Sequence, residues 1–315
     1  MTNKNIDLVV IGSGATGASI AYEATKRGLK VVLIDAGDIG KGTSCRSTKL
    51  LHGGVRYLEL AFKNFDQSQL KLVREALLER SHWLEQAPFL AEKLELALPL
   101  ENNFNKAYYR VGLGIYDALS GRKSIGKCRL LSTHELQKDL PLLRKNSCGG
   151  VAYSDGKFND ARLNTLIALT AERGGAIIRN YCKVINFERN NNGRLNGVVI
   201  ENHLGEHEIL PCKVIVNATG IYADKLRCMA DKNAEERVII SRGMHIVLEK
   251  NLCPKNTGLL IPSTEDKRVL FALPFFEHTL FGTTDTPCSI EEASSPSEAE
   301  KKYLIKNLEK WFPSM

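Results

Sequence analysis

No apolar run in the chain approaches the ~20 residues that a membrane-crossing helix needs. The longest are short, such as Leu8–Ile11 and Val214–Val216. A spanning helix is therefore not expected, although contact with a membrane surface stays open. The start, Met-Thr-Asn-Lys-Asn-Ile-Asp, lacks both the apolar stretch of a secretion signal and the arginines of a transit segment. There is no CxxC: the eight cysteines are scattered, and the closest two, Cys212 and Cys228, stand 16 positions apart. That spacing argues against a metal site and points to reduced thiols, so a cytoplasmic location is expected. Nucleic-acid-binding motifs, internal repeats and linker-length low-complexity tracts are also missing, and no nucleic-acid partner is expected. What is present is ordinary for a globular protein: 315 residues, 43% hydrophobic and 25% charged. This excludes a mainly disordered chain, a collagen-like chain and a coiled-coil rod. The net charge of +7 favours anionic ligands or anionic lipid.

The first forty residues carry a complete nucleotide-binding pattern. Ile6–Ile11 fits a buried parallel strand. Gly12-Ser13-Gly14-Ala15-Thr16-Gly17 is a GxGxxG turn, Ala18–Arg27 a helix closed by Gly28, and Leu29–Ile34 a second strand ending at Asp35. Gly12 permits the tight turn, Gly14 lets a pyrophosphate approach the backbone, and Gly17 lets helix and strand pack closely. The helix start offers free N–H groups and the positive end of its dipole to phosphates. Asp35, 18 residues past Gly17, can accept from a ribose hydroxyl pair and disfavours the 2′-phosphate of NADP. This fingerprint alone leaves FAD and NAD both open.

The stretch from Gly40 to Glu59, GKGTSCRSTKLLHGGVRYLE, is dense in hydroxyls, glycines and cations and reads as a ligand-lining loop. It closely resembles the FAD-dependent glycerol-3-phosphate dehydrogenases, whose motif runs (S/T)S-x-x-S-(S/T)-K-L-(I/L)-H-G-G-(L/V)-R-Y-L-E. The resemblance continues through Ala76–Arg80, Tyr153–Gly156, Asn159–Leu163, Val216–Gly220, Gly243–Val247 and Phe281–Thr286. It implies an α/β fold: an FAD-binding Rossmann-like domain of the two-dinucleotide-binding, glutathione-reductase or D-amino-acid-oxidase type, with a discontinuous α+β substrate domain. The chain ends at Trp311-Phe312-Pro313-Ser314-Met315, before the family's G-V-R-P and G-G-K-L-T-T-Y-R segments. A fragment, a truncated product or half of a split protein is the resulting expectation.

The resemblance implies oxidation of sn-glycerol 3-phosphate to dihydroxyacetone phosphate, with a hydride passing to non-covalent FAD and electrons going on to the quinone pool. Ser44, Ser47, Lys49, Leu50, Gly53, Val184, Ala218 and Gly220 join Gly12, Gly14, Gly17 and Asp35 as cofactor residues. Arg56, whose planar fork suits phosphate, and Tyr57 are the expected substrate-phosphate ligands, the alternative being a salt bridge to Glu59. Thr284 and Asp285 are expected to shape the substrate side, and His52 and His245 are the acid/base or orienting candidates. Cys45 is not expected to attach the flavin. Peripheral contact with the inner face of the plasma membrane and a homodimer are candidate associations. Three other readings stay open: an oxidase that uses oxygen, an NAD-dependent dehydrogenase, and an FAD-binding chain inactive without a partner.

Elsewhere the patterns are structural. Leu70, Val73, Leu77 and Leu84 share one side of a helix over 63–86, Leu94–Leu100 alternates as a strand, and Tyr108–Leu119 reads as a helix. Arg122, Lys123, Lys127 and Arg129 form a basic cluster that reads as a solvated loop rather than a lipid contact. Ser132–Glu135 predicts a capped helix start with His134 on the surface, and Asp160 is the expected N-cap of a helix over 161–173. Lys183–Glu188 and Leu195–Glu201 flank a hairpin loop, and Val214–Asn217 is the expected final core strand. The expected domains are 1–75 with 145–225 for FAD and 76–144 with 226–315 for substrate.

Overall fold

A computed structural model of the chain describes residues 6–54, 66–262, 264–266 and 268–315. In its first half, β1 (Ile6–Ile11), α1 (Ala15–Lys26), β2 (Val31–Ile34), β3 (Leu50–Leu51), α2 (Gln67–Gln86), β4 (Ala91–Pro99), α3 (Asn103–Ser120), β5 (Arg129–Leu131), α4 (Thr133–Asp139) and β6 (Gly150–Phe158) follow in order. Then come α5 (Asp160–Arg173), β7 (Ile177–Arg179), β8 (Cys182–Arg189), β9 (Leu195–Asn202), β10 (His207–Asn217), α6 (Ala223–Ala230), β11 (Ser241–Arg242), β12 (His245–Leu248), β13 (Thr257–Ile261), β14 (Leu270–Phe275), β15 (His278–Gly282), β16 (Thr286–Pro287) and α7 (Glu298–Trp311). None of the described helices is long and apolar enough to cross a membrane.

The chain divides into two units, Met1–Ser47 with Asn159–Ile240 and Thr48–Phe158 with Ser241–Met315. These crossings replace the expected boundaries at 75, 145 and 225, for reasons visible in the packing. Leu50 and Leu51 pair with Lys157 and Gly156, and β6 pairs along its length with β4, so both segments belong to the second unit. Leu226 packs in the core of the first unit, and Asp224 accepts the N–H groups of Arg237 and Val238, each at 2.6 Å. Residues up to 240 therefore stay with the first.

The first unit has a six-stranded sheet in the order β7-β2-β1-β10-β9-β8. Side chains alternate along β1, as the two-residue period of a strand requires. Leu8 and Val10 pack with alanines 18, 21 and 24 of α1 and alanines 168 and 171 of α5, small residues that let the helices lie close. Val9 and Ile11 face the other way, into a layer with Val184, Val198, Ile200 and Leu210. Both faces of β1 and β2 are thus covered, which accounts for their unbroken apolar runs. The expected short final strand is longer: β10 runs antiparallel to β9 over His207–Pro211 and then parallel to β1 over Cys212–Asn217. Asn159, not Asp160, caps α5, its side chain accepting from Arg162 N at 3.1 Å.

The second unit carries a larger mixed sheet with the path β12-β15-β14-β13-β4-β6-β3, joined by β5 at β6. Leu94, Leu96 and Leu98 of β4 point into a core closed by Val73 and Leu77 of α2 and Leu113 and Tyr116 of α3. Ala97 points to the opposite core, closed by Leu136 of α4 and Leu304, Leu308 and Trp311 of α7. Ser132 and Glu135 form the expected capping box, and His134 is exposed. Lys123 pairs with Glu85 and Arg129 with Glu95, so half of the basic cluster is neutralised locally.

Candidate functional site

In the first unit the strand–turn–helix start forms a cradle that excludes side chains. Gly12 has φ +101°, and a Cβ there would stand 2.5 Å from the Ala218 carbonyl oxygen. At Gly17 a Cβ would meet the Gly12 carbonyl oxygen at 1.7 Å. Gly14 is the N-cap of α1, which has no side-chain cap of its own. Ser44, in a short 3₁₀ turn over Thr43–Cys45, accepts from Ala15 N at 2.8 Å, placing a hydroxyl at the helix start. Asp35 directly follows β2: Oδ2 accepts Ser13 N at 2.6 Å and Ser13 Oγ at 2.9 Å, and Oδ1 accepts Gly37 N at 2.8 Å. Its carboxylate clamps two loops together and keeps about one acceptor position, on Oδ1, for a ribose hydroxyl, since an ionised carboxylate has about four. Ser47 donates from Oγ to Asp160 Oδ2 at 2.7 Å, tying the hydroxyl-rich loop to the start of α5. Asn164 Nδ2 donates to the Ser13 carbonyl at 2.9 Å, while its own Oδ1 is buried without a partner. Ala218 N donates to Ile11 O at 2.8 Å, and Gly220 follows with φ +58°. Val184 lies in the apolar core, so only its backbone is available to a ligand. A helix start whose N-cap glycine has no side chain, a backbone without Cβ atoms and an acid at the next strand end fit the pyrophosphate and ribose of a dinucleotide.

In the second unit, Lys49 has φ +60°, and its carbonyl accepts Phe158 N at 3.1 Å. Leu50 packs on the core, the His52 side chain is exposed, and Gly53 is buried. His245 on β12 has a ring nitrogen 3.1 Å from Thr48 Oγ1. Arg56 and Tyr57 lie outside the described residues.

Thr284 departs from its expected substrate role. It is 2% exposed, and its hydroxyl accepts Met244 N at 2.9 Å while donating to Glu300 Oε1 at 2.8 Å. Asp285 is exposed and accepts from the Ser241 hydroxyl. Glu300, 5% exposed, also takes Arg242 Nε at 2.7 Å and completes the capping box of α7 with Ser297. Burial opposes its charged form, but hydrogen bonds from Thr284 and Ser297 hold the carboxyl down to about 2. A depressed acid stabilises the fold above its unfolded value of 4.5 and loses that stabilisation as pH falls through about 2. A Glu300→Gln chain is expected to lose about 3 kcal/mol at neutral pH by urea unfolding. The difference from the parent should shrink below pH 4.5; a difference that does not change with pH would contradict this assignment.

Sequence reasoning did not single out Arg80, Tyr116, Asp155, Asn164 or Glu300. Arg80 and Asp155 stand inside segments that carry the family resemblance, and that was the available signal. Tyr116 gave none, because nothing in a helical pattern separates a buried polar group from an exposed one, and the Ser297-x-x-Glu300 spacing signals a helix start but not the burial of Glu300.

A dinucleotide cradle at the end of parallel strands β2, β1 and β10, with β8 and β9 interposed before the last core strand, fits the class of dinucleotide-dependent oxidoreductases. The chain belongs to the FAD dependent oxidoreductase family, which it matches over residues 7–315. FAD is that family's cofactor. The probable mitochondrial glycerol-3-phosphate dehydrogenase of Dictyostelium discoideum is 41% identical over 315 residues, covering 98% of the chain and 49% of the relative. The mitochondrial glycerol-3-phosphate dehydrogenase of Homo sapiens is 40% identical over 309 residues, covering 96% of the chain and 42% of the relative. Among solved structures, the glycerol-3-phosphate dehydrogenase from Bacillus halodurans complexed with FAD matches with a TM-score of 0.78 and 30% identity, over 100% of the chain and 54% of that protein. The chain spans about half the length of the curated relatives it matches.

Proposed function

We propose that the chain takes part in FAD-dependent oxidation of sn-glycerol 3-phosphate to dihydroxyacetone phosphate, with a quinone as electron acceptor. The observation that carries this reading is the joint presence of the Gly12–Gly17 cradle and the Ser47–Glu59 motif in a chain 40% identical to enzymes of that name over nearly its whole length. FAD supplies the hydride acceptor when bound. Gly12, Gly14 and Gly17 would let the α1 start approach its pyrophosphate, and Asp35 would accept from its ribose. Ser44 and Ser47 keep the neighbouring loop in place through Ala15 and Asp160. Arg56 and Tyr57 take the substrate phosphate in this reading. His52, exposed in its loop, and His245, beside Thr48, are the groups that can hold or move the hydroxyl proton. The +7 charge supports contact with an anionic membrane surface, where the quinone resides.

The test is a dye-linked assay of the FAD-loaded chain with glycerol 3-phosphate, glycerol and a panel of amino acids. The expected result is dihydroxyacetone phosphate formed in step with reduction of a quinone analogue, from glycerol 3-phosphate alone. Peroxide formed at the same rate in air would assign oxygen as acceptor. Oxidation of amino acids in place of glycerol 3-phosphate would overturn the substrate.

A further inference from the structure

Within the second unit, a buried polar network contacts the loop that carries His52. Gly53 N donates to Tyr116 Oη at 2.7 Å, and Tyr116 Oη donates to Asp155 Oδ1 at 2.8 Å. Arg80 Nη1 donates to the same carboxylate oxygen at 2.7 Å and to the Ser154 carbonyl at 3.0 Å. Asp155 Oδ1 also lies 3.4 Å from Gly53 N. Tyr116 and Asp155 are each 1% exposed and Arg80 is 3% exposed. The donor inventory sets the direction of the chain: an amide and a guanidinium only donate and a carboxylate only accepts. The single phenolic proton therefore goes to Asp155, leaving a lone pair for Gly53. Burial, reinforced by the charge of Asp155, pushes the Tyr116 phenol well above its usual range, so it keeps that proton.

The network is built around the loop. A Cβ on Gly53 would meet Leu77 Cδ2 at 2.3 Å and Tyr116 Oη at 2.5 Å, so the amide is seated against the phenol with no room for a side chain. Among the described residues, Asp155 Oδ2 is buried without a hydrogen-bond partner. Without the phenol the Gly53 amide keeps only the longer 3.4 Å contact to Asp155 Oδ1, a loss of up to about 1–3 kcal/mol at the loop.

We propose that Tyr116, held by Asp155 and Arg80, is a positioning residue that fixes the Gly53 amide and with it the backbone from which His52 projects. This deepens the proposed function and rests on it, since the reaction readout is reduction of the flavin by glycerol 3-phosphate. The test uses the FAD-loaded chain and its Tyr116→Phe variant. Under anaerobic conditions, the flavin of the variant should bleach roughly tenfold to a hundredfold more slowly at saturating glycerol 3-phosphate, the range that small misplacement of a reacting group produces. The half-saturating substrate concentration and the FAD content should stay unchanged. Hydrogen exchange at the Gly53 amide should rise in the variant while exchange in β4 and β6 does not.

An unchanged bleaching rate, a loss confined to half-saturation, or loss of FAD would each overturn the positioning role. If the variant does not fold, the parent alone decides it: the Gly53 amide must be as protected as β4 and β6, and exchange at the rate of an exposed loop overturns the proposal. If glycerol 3-phosphate fails to bleach the parent, the proposed function falls, and the exchange measurement still decides whether Tyr116 holds Gly53.

Discussion

Replacing Gly17 with alanine is expected to leave the purified chain without FAD and to destabilise it by about 3 kcal/mol, the upper part of the usual overpacking range. Two effects compete. Alanine is the better helix former by about 1 kcal/mol. Against that, its Cβ would stand 1.7 Å from the Gly12 carbonyl oxygen and 3.3 Å from Ala218 Cβ. The first of these contacts is backbone, which cannot turn aside as a flexible side chain can, so the clash wins and the cradle opens. Gly112 is the control. It also lies within a helix, yet a Cβ there would meet nothing within 4 Å. Gly112→Ala should therefore keep FAD and gain up to about 1 kcal/mol. Flavin content after gel filtration, together with urea unfolding, reads both outcomes. Retention of a full flavin complement by Gly17→Ala would contradict the assigned packing.

The second large effect is expected at Arg80. Its guanidinium pairs with Asp155 at 2.7 Å, with side-chain exposures of 2% and 1%. Arg80→Leu removes the cation and leaves the carboxylate buried, a change that costs about 3–5 kcal/mol in comparable pairs. The cost should depend on pH. Burial already raises the Asp155 carboxyl above its ordinary 3.8, and Arg80 and Tyr116 oppose that rise. Without Arg80 the carboxyl rises further. A raised acid favours the fold below its unfolded value and loses that advantage as pH climbs through its folded value. The deficit of Arg80→Leu should therefore be smallest near pH 3.8 and grow toward neutrality. A deficit that is constant from acid to neutral pH would show that Asp155 is not the group left uncompensated.

The nucleotide half was legible because its signals are local. An apolar run, a glycine turn, a helix and an acid follow within 35 residues, and Gly12 and Gly17 each answer a close backbone contact seen in the structure. The β8–β9 hairpin and the capping box at Ser132 were readable for the same reason. What escaped was set by distance along the chain. Tyr116 and Asp155 are 39 positions apart, and Arg80 and Asp155 are 75 apart, so no window of sequence contains their network. The length of β10 escaped because one strand changes partners midway, from β9 to β1. The resemblance of Phe281–Thr286 places Thr284 on the substrate side, whereas the structure buries its hydroxyl between Met244 N and Glu300. Asp160 was read as a cap because acids are common there, yet Asn159 takes that place and frees Asp160 for Ser47.

In the proposed function these residues hold FAD and deliver glycerol 3-phosphate to it. The most direct measurement is the visible spectrum of the purified chain, recorded without oxygen before and after glycerol 3-phosphate is added. The expected result is flavin bands in the visible that bleach on addition of the substrate and return when a quinone analogue is admitted. A flavin spectrum that glycerol 3-phosphate leaves untouched would contradict the assigned activity, and a colourless folded protein would contradict the assigned cradle.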